Sequence, residues 1–261
     1  MKWLKRIGLT LLVIYALGCG FLYFIQEQIL FRPDTLPESY TFREGTEVEV
    51  EVEPGVSLNC LWLKTPNPKG VILYLHGNRG SLKRCLYQTR MLRGHGYDIF
   101  MPDYRGYGKS DGEIVSEAQV FSDNQKVYDY LKKYYSEDQI VVLGYSIGSG
   151  MAAALAADNH PQQLFLVAPY YCISDLKDRR APFVPDFLLK YKFKTHDFLR
   201  QLTMPVTLIH GVLDNVIPFD SSRKLEAVSP GNVEVVPVPG EGHRGVIFSP
   251  ILGGTLDEKL K

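Results

Sequence analysis

The chain has no surplus of charge: 29 Lys and Arg stand against 29 Asp and Glu, for a formal net charge of zero. A surface built for nucleic acid normally needs a basic excess, so a phosphate-backbone binder is disfavoured and no nucleic-acid partner is expected. Cysteine is scarce. Four in 261 residues cannot make a disulfide scaffold. One of them, Cys19, lies in an apolar stretch, three cannot all pair within the soluble part, and no C-x-x-C occurs, so cysteine leaves the redox compartment open. There is no H-E-x-x-H and the histidines are scattered, which argues against a metal site. No Gly-rich phosphate loop or dinucleotide fingerprint occurs either, so no cofactor is expected. Internal repeats and low-complexity tracts are also missing. What is present, 45% hydrophobic and 22% charged residues, excludes a disordered chain and suits one α/β domain over residues 41–261.

The N-terminus has its own character. Residues 1–6 carry Lys2, Lys5 and Arg6, and Ile7 to Ile25 then holds no charged residue. Those nineteen residues at about 1.5 Å each span roughly 28 Å, close to a bilayer core of about 30 Å. A cleaved signal peptide has a shorter apolar region, about 7–15 residues, and then a small-x-small site. Here the run continues through Phe21-Leu22-Tyr23-Phe24 and no A-x-A follows. The reading is an uncleaved signal anchor over 7–25. Ala16-Leu17-Gly18-Cys19 bears a partial likeness to a bacterial lipoprotein box, which keeps cleavage or lipidation as the alternative. Three basic residues precede the span, against Glu27 and Arg32 after it. That places residues 1–6 in the cytoplasm and the remaining chain on the opposite side, periplasmic, lumenal or extracellular.

Residues 26–40 read as a linker, because Pro33, Pro37 and their polar neighbours interrupt any periodicity. Val48-Glu49-Val50-Glu51-Val52 alternates strictly, the mark of a half-buried strand. A Pro54-Gly55 turn then leads to a second strand over Val56–Leu63. Short apolar runs follow at Val71–Leu75, Asp98–Met101, Ile140–Leu143, Leu164–Ala168, Val206–His210 and Val233–Val238. Runs this apolar indicate strands covered on both faces. Segments 81–93, 116–135, 147–157 and 219–228 suit helices between them, the second opening on a capping box at Ser116-Glu117-Ala118-Gln119. Strand and helix in alternation predict a mostly parallel central sheet with helices on both faces.

The sharpest chemical signal is Gly144-Tyr145-Ser146-Ile147-Gly148, directly after an apolar strand and before an Ala-rich helix. This is the context of a nucleophile elbow, where a tight strand-to-helix turn exposes a serine and its flanking positions must be small. A serine hydroxyl is a weak nucleophile and needs a base, which in turn needs an orienting acid. Asp214 follows the strand Val206–His210, and His243 sits on a Gly-rich loop after Val233–Val238. Their chain order, Ser146, Asp214, His243, is the one such an architecture requires. Asp220 is a runner-up acid better placed as a helix start. Glu241 shares a loop with His243. His95, His160, His196 and His210 lack a matching context, and His76 reads as a structural hydrogen-bonder. Backbone donors for an oxyanion are expected at Ile147, the residue after the nucleophile, and at Asn78 in the turn His76-Gly77-Asn78. Asp103-Tyr104-Arg105-Gly106-Tyr107-Gly108-Lys109-Ser110 reads as a structural loop, with Tyr104 or Arg105 as candidate pocket residues.

From about Val48 to Ile247 these residues resemble the α/β-hydrolase superfamily. The likeness is carried by H-G-N at 76–78, D-Y-R-G-Y-G-K-S at 103–110, G-Y-S-I-G at 144–148, D-N-V-I-P at 214–218 and G-H at 242–243. With the N-terminal anchor, the H-G-N form is similar to membrane-anchored serine hydrolases of the esterase and acyl-thioesterase kind. The resemblance implies the α/β-hydrolase fold behind one transmembrane helix, Ser146, Asp214 and His243 as triad, and Asn78 and Ile147 as oxyanion donors. It also implies a small-molecule or lipid-like acyl ester as substrate. It places a cap around 170–200, whose aromatics and Lys177, Arg179, Arg180, Lys190, Lys192 and Lys194 either meet acyl chains and headgroups or form a solvated face over core anchors. The expected activity is hydrolysis of carboxylic esters or thioesters. A serine peptidase on small peptides and a non-catalytic binding protein of the same fold are the alternatives.

Overall fold

A computed structural model describes residues 2–229 and 231–261; Met1, part of the basic segment 1–6, and Pro230 lie outside the described residues. The sheet is built from β1 (Thr46–Glu53), β2 (Val56–Leu63), β3 (Gly70–Leu75), β4 (Tyr97–Pro102), β5 (Ile140–Tyr145), β6 (Gln163–Val167), β7 (Val206–Gly211) and β8 (Val233–Val238). Their spatial order is β8-β7-β6-β5-β3-β4-β2-β1. Only β2 runs against the rest, since it pairs antiparallel with both β1 and β4 while the other pairings are parallel.

The apolar runs work as their composition requires. In β3, Val71, Leu73 and Leu75 enter the core on one face while Ile72 and Tyr74 enter the core on the other. Helices α4 (Glu117–Leu131), α5 (Gly148–Asp158), α7 (Thr195–Leu199) and α8 (Asp220–Val228) contribute to the first core, and α3 (Leu82–Gln88) and α9 (Pro250–Lys259) to the second. Edge strand β1 turns Val50 and Val52 inward and its glutamates outward, which keeps an unpaired edge charged. The α4 cap is formed in part: Ser116 Oγ accepts from Gln119 N, but the Gln119 side chain accepts from Val115 N, one residue beyond the reciprocal partner. Between β6 and β7 there is no strand; the segment carries α6 (Ile173–Arg180), the 3-10 turn Asp186–Leu188 and α7. The C-terminal helix α9 has no counterpart in the sequence reading, because Gly253 and Gly254 mask its pattern.

The N-terminal segment forms one helix, α1 (Lys2–Phe24), followed by the short α2 (Gln26–Leu30). Residues 26–40 are not a free linker, as their prolines suggested. Phe31 is buried, edge-on to Tyr191 at 5.2 Å and Phe193 at 6.4 Å between ring centres. Beyond it, Arg32 N donates to Asn78 O, Asp34 N to Gly80 O and Leu36 N to Gly108 O, so the strand-like backbone is satisfied by pairing with loops of the domain. The prolines fit because pairing uses the residues around them. This docking predicts that Phe31→Ala lowers the unfolding free energy by about 3 kcal/mol, as for other buried Phe truncations. Phe187→Ala, at a side chain 81% exposed, leaves it within about 0.5 kcal/mol. Urea denaturation of the detergent-solubilised chain checks both.

Candidate active site

Ser146 directly follows β5 and precedes α5 in the centre of the sheet, with a backbone φ of +55°. That left-handed conformation is costly for a side-chain-bearing residue, by about 1–3 kcal/mol. It persists because its peptide groups are tied on all sides. Ser146 N donates to Val167 O at 2.9 Å, and Ser146 O accepts from Ser149 N at 2.9 Å and from Ser149 Oγ at 2.6 Å. The two flanking glycines are required by contact. A Cβ on Gly144 would stand 2.5 Å from Gly148 O and 2.6 Å from Ala152 Cβ, and one on Gly148 would stand 2.2 Å from Leu75 O.

Asp214 and His243 are brought to the same place by the loops after β7 and β8. The loops are joined by hydrogen bonds from Val212 N to Val238 O and from Leu213 N to Glu241 O. Ser146 Oγ lies 2.9 Å from His243 Nε2, and His243 Nδ1 lies 2.7 Å from Asp214 Oδ2. The Asp214 carboxylate only accepts, so Nδ1 carries a proton; neutral His243 then leaves Nε2 to accept from the serine hydroxyl. Tyr145 OH donates to His243 O at 2.9 Å and its ring lies against the imidazole, which fixes the loop that carries His243.

Asp214 is buried and fully engaged: Oδ1 accepts from Val216 N and Ile217 N, both at 2.8 Å. A third partner is His210, whose Nε2 is 3.3 Å from Asp214 Oδ2 and 2.9 Å from Ile217 O, while Nδ1 meets Ser222 Oγ at 2.7 Å. The sequence reading set His210 aside; only its spacing of four from Asp214, across the end of β7, hinted at the contact. Burial would raise the Asp214 pKa, but hydrogen bonds from His210 and His243, the charge of His243 and the Ile217 N–H outweigh it and hold the carboxyl below the usual range. The other candidates fall elsewhere. Asp220 opens α8 and pairs with Arg179 and Lys224, His95 pairs with Asp257, and His196 stacks on Tyr171.

The turn 76–78 is held from behind. His76 Nδ1 meets Gly77 O at 2.7 Å, Tyr104 OH donates to His76 O at 2.9 Å and Tyr107 OH to Asn78 O at 3.0 Å. In a planar trans peptide the Asn78 N–H points opposite the Gly77 carbonyl, away from His76. Among the described residues neither the Asn78 nor the Ile147 N–H has a backbone acceptor. Tyr104 and Arg105 do not line the cavity beside the serine: Tyr104 supports the turn, and Arg105 makes a two-pronged pair with Asp123, at 2.7 and 2.8 Å, and also bonds Glu53.

Ser146, Ile147, Gly77, Asn78 and His243 open into a cavity of about 550 Å³. Its far walls are the end of α1, α2 and the segment 173–189. Across residues 170–200, Tyr191 and Phe193 belong to the core, Tyr170 is buried in the core and also borders the cavity, Lys177 and Arg180 line the cavity, Lys190 pairs with Glu27 and Lys194 with Asp197. The aromatics and cations of this stretch are thus divided between packing and cavity.

The family described as serine aminopeptidase, S33, matches residues 66–196. Protein bem46 of Schizosaccharomyces pombe is 28% identical over 236 residues, covering 82% of this chain and 78% of that protein. Alpha/beta hydrolase domain-containing protein 17C of Xenopus tropicalis is 30% identical over 217 residues, covering 79% and 68%. Among solved structures, the esterase Pf2001 of Pyrococcus furiosus aligns with a TM-score of 0.69 at 20% identity, covering 88% of this chain and 98% of that one. Est1E of Butyrivibrio proteoclasticus, with ferulic acid bound, aligns at 0.65 and 20% identity, covering 81% and 96%.

The depressed Asp214 pKa has a consequence for stability. Its contribution is fully present above the ordinary carboxylate pKa of about 4 and is lost as pH falls below it toward the folded-state value. Asp214→Asn is therefore expected to be less stable than the parent at pH 7, with the gap narrowing at pH 3.5. Urea denaturation at the two pH values reads it; a gap that widens in acid contradicts the assignment.

Proposed function

The chain belongs to the α/β-hydrolase superfamily, and from that premise we propose that it is a membrane-anchored serine hydrolase cleaving carboxylic ester or thioester bonds through an acyl-enzyme. The observation that carries the proposal is the continuous relay from Ser146 Oγ through His243 to Asp214, with the serine held at positive φ. Ser146 Oγ attacks the acyl carbon while His243 Nε2 takes its proton. Asp214 keeps the imidazole in the required tautomer and stabilises the imidazolium without taking the proton itself. The Asn78 and Ile147 N–H groups receive the oxyanion, and removing one such donor typically costs about 3–4 kcal/mol of the barrier. His76 is a positioning residue, aiming the Asn78 N–H by holding the other side of the same peptide. Protonated His243 then returns its proton to the departing alkoxide or thiolate, and water activated by the same nitrogen releases the acid.

Serine peptidases use the same groups, and the cavity's charge weighs between the two readings. An enzyme that binds a free α-amino group needs carboxylates beside the serine. No Asp or Glu lines this cavity, whereas Arg32, Arg79, Arg84, Lys177, Arg180 and Arg244 do. Ester or thioester substrates are therefore preferred over peptides with a free N-terminus. A pure binding protein of this fold would have no need of such a relay, so the contacts from Ser146 through His243 to Asp214 favour catalysis.

Membrane anchoring is supported by α1. Leu9, Leu11, Leu12, Ile14, Leu17 and Phe21 all stand more than half exposed, an apolar surface that water does not tolerate and lipid does. Lys2, Lys5 and Arg6 at its start favour a cytoplasmic N-terminus with the hydrolase domain across the membrane.

The detergent-solubilised parent is expected to hydrolyse p-nitrophenyl esters and to be labelled by a fluorophosphonate. Ser146→Ala should lower kcat/KM by at least about 10³-fold, in line with other triad serines, and abolish the label. A folded parent that neither cleaves any ester nor takes the label overturns the proposal.

A further inference from the structure

The cavity is unusual in what forms it. One wall comes from the end of the anchor and the turn after it, through Leu22, Tyr23, Ile29 and Leu30, and the facing wall from apolar residues of the cap such as Leu176 and Val184. The two walls are locked together. Gln26 is buried, its Nε2 donating to Leu188 O at 2.8 Å and its Oε1 accepting from Lys190 N at 2.9 Å. Glu27 accepts from Lys190 Nζ at 3.1 Å and from Tyr191 OH at 3.0 Å. Further down the helix, Tyr15 OH donates to Phe183 O at 2.7 Å. Tyr15 lies nine residues before Phe24, about 14 Å along the axis, so with α1 in a bilayer Phe183 reaches the level of the acyl chains. Phe183 and Phe187 are 64% and 81% exposed there, side chains suited to lipid.

The charge at the serine end is equally one-sided. A chain of zero net charge places six cations and no carboxylate around this cavity. Lys177 is neutralised by Asp178 and Asp186, but the five arginines have no carboxylate partner among the described residues. Arg244 directly follows His243 in the chain, and Arg84 lines the same cavity as Tyr145 and Ser146. Burial pushes the Tyr145 hydroxyl up to about 12, and the charges of these two arginines pull against that rise. All five arginines are solvent-exposed, and unpaired guanidinium groups around a mostly apolar cavity attract phosphate or carboxylate and bind it by their forked donors.

Resting on the hydrolase reading above, we propose that the substrate is an anionic acyl lipid taken directly from the leaflet beside the anchor, its chain lying along the wall shared by anchor and cap and its phosphate or carboxylate held by Arg84 and Arg244. An acyl chain moving from bilayer to this wall never meets water, so its transfer carries little desolvation cost. The anchor is thereby part of the substrate site as well as a tether.

Binding to Ser146→Ala protein in dodecyl maltoside micelles tests this without requiring turnover. The probes are oleoyl lysophosphatidic acid, neutral monooleoylglycerol, and glycerol 3-phosphate, which has the charge and no chain. Lysophosphatidic acid is expected to bind at least tenfold tighter than monooleoylglycerol, with the ratio falling toward one at 0.5 M salt and on adding Arg84→Gln and Arg244→Gln. Arg90→Gln, on an exposed arginine outside the cavity, keeps the ratio. Equal binding of the two lipids, or a preference that survives loss of both arginines, overturns the proposal. Glycerol 3-phosphate competing as well as the lipid also overturns it, assigning the cations to a soluble anion. Parent activity on p-nitrophenyl esters and fluorophosphonate labelling separate the outcomes: a parent that is active or labelled while binding both lipids equally is a hydrolase with a different substrate, and a folded parent that cleaves no ester and takes no label fails the earlier reading instead.

Discussion

The constraint on which the rest depends is a backbone contact between the serine turn and the end of the neighbouring strand. Gly148 sits so close to Leu75 O and His76 O that a single methyl group would stand 2.2 and 2.6 Å from them. That closeness sets how far α5 stands from β3, and hence the gap between the Ile147 N–H and the turn 76–78. It also explains why a positive φ at Ser146 is tolerated: relaxing the turn would drive α5 into β3 or break the bonds of Ser146 to Val167 and Ser149. Strain of about 1–3 kcal/mol is thus held by contacts that are themselves buried. Nothing in the serine's own chemistry requires this conformation. What requires it is exposure of Oγ above the sheet with two backbone donors alongside.

A second layer of support keeps the acid and base in register with that turn. A buried carboxylate with empty lone pairs costs several kcal/mol, so Asp214 is stable only because two backbone N–H groups and two imidazoles converge on it. His210 is the less obvious member. With Nδ1 occupied by Ser222 and Nε2 shared between Ile217 O and Asp214, it has no freedom to serve as a base. Its contribution is to anchor the loop that presents Asp214, as His76 anchors the loop that presents Asn78. Two histidines outside the relay therefore hold two backbone turns within it.

Much of this was legible in the sequence because it follows from local pattern. Parallel strands buried on both faces are near-continuous apolar runs, and Val71–Leu75 or Val206–His210 cannot be much else. Glycines at 144 and 148 and the positions of Asp214 and His243 just past strand ends pointed to the geometry found. What escaped depended on long-range pairing. Residues 26–40 look like a linker because their hydrogen-bond partners, Asn78, Gly80 and Gly108, lie more than 40 residues away. His210 looked idle because its partner is close in space across a strand end. The cap resisted a single reading because its aromatics serve two masters: Tyr191 and Phe193 pack on Phe31, while Phe183 and Phe187 point outward. Composition alone cannot separate those roles.

The docked N-terminal segment bears on the proposed anchor. A flexible tether would leave the domain free to tumble, and an apolar cavity so presented would open to water. Here Phe31 plugs the core against Tyr191 and Phe193, Gln26 and Glu27 bind the cap backbone and side chains, and Arg32 to Leu36 pair with the loops that carry the Asn78 turn. The same eleven residues, 26–36, therefore join the apolar helix, the segment 173–191 and the turn 76–78. A displacement of the helix relative to the domain would strain the Arg32 N–H to Asn78 O bond, and with it the peptide that follows the Gly77–Asn78 one. Under the proposed membrane-anchored hydrolase, the position of α1 and the geometry around Ser146 would be linked through covalent continuity and a few short hydrogen bonds.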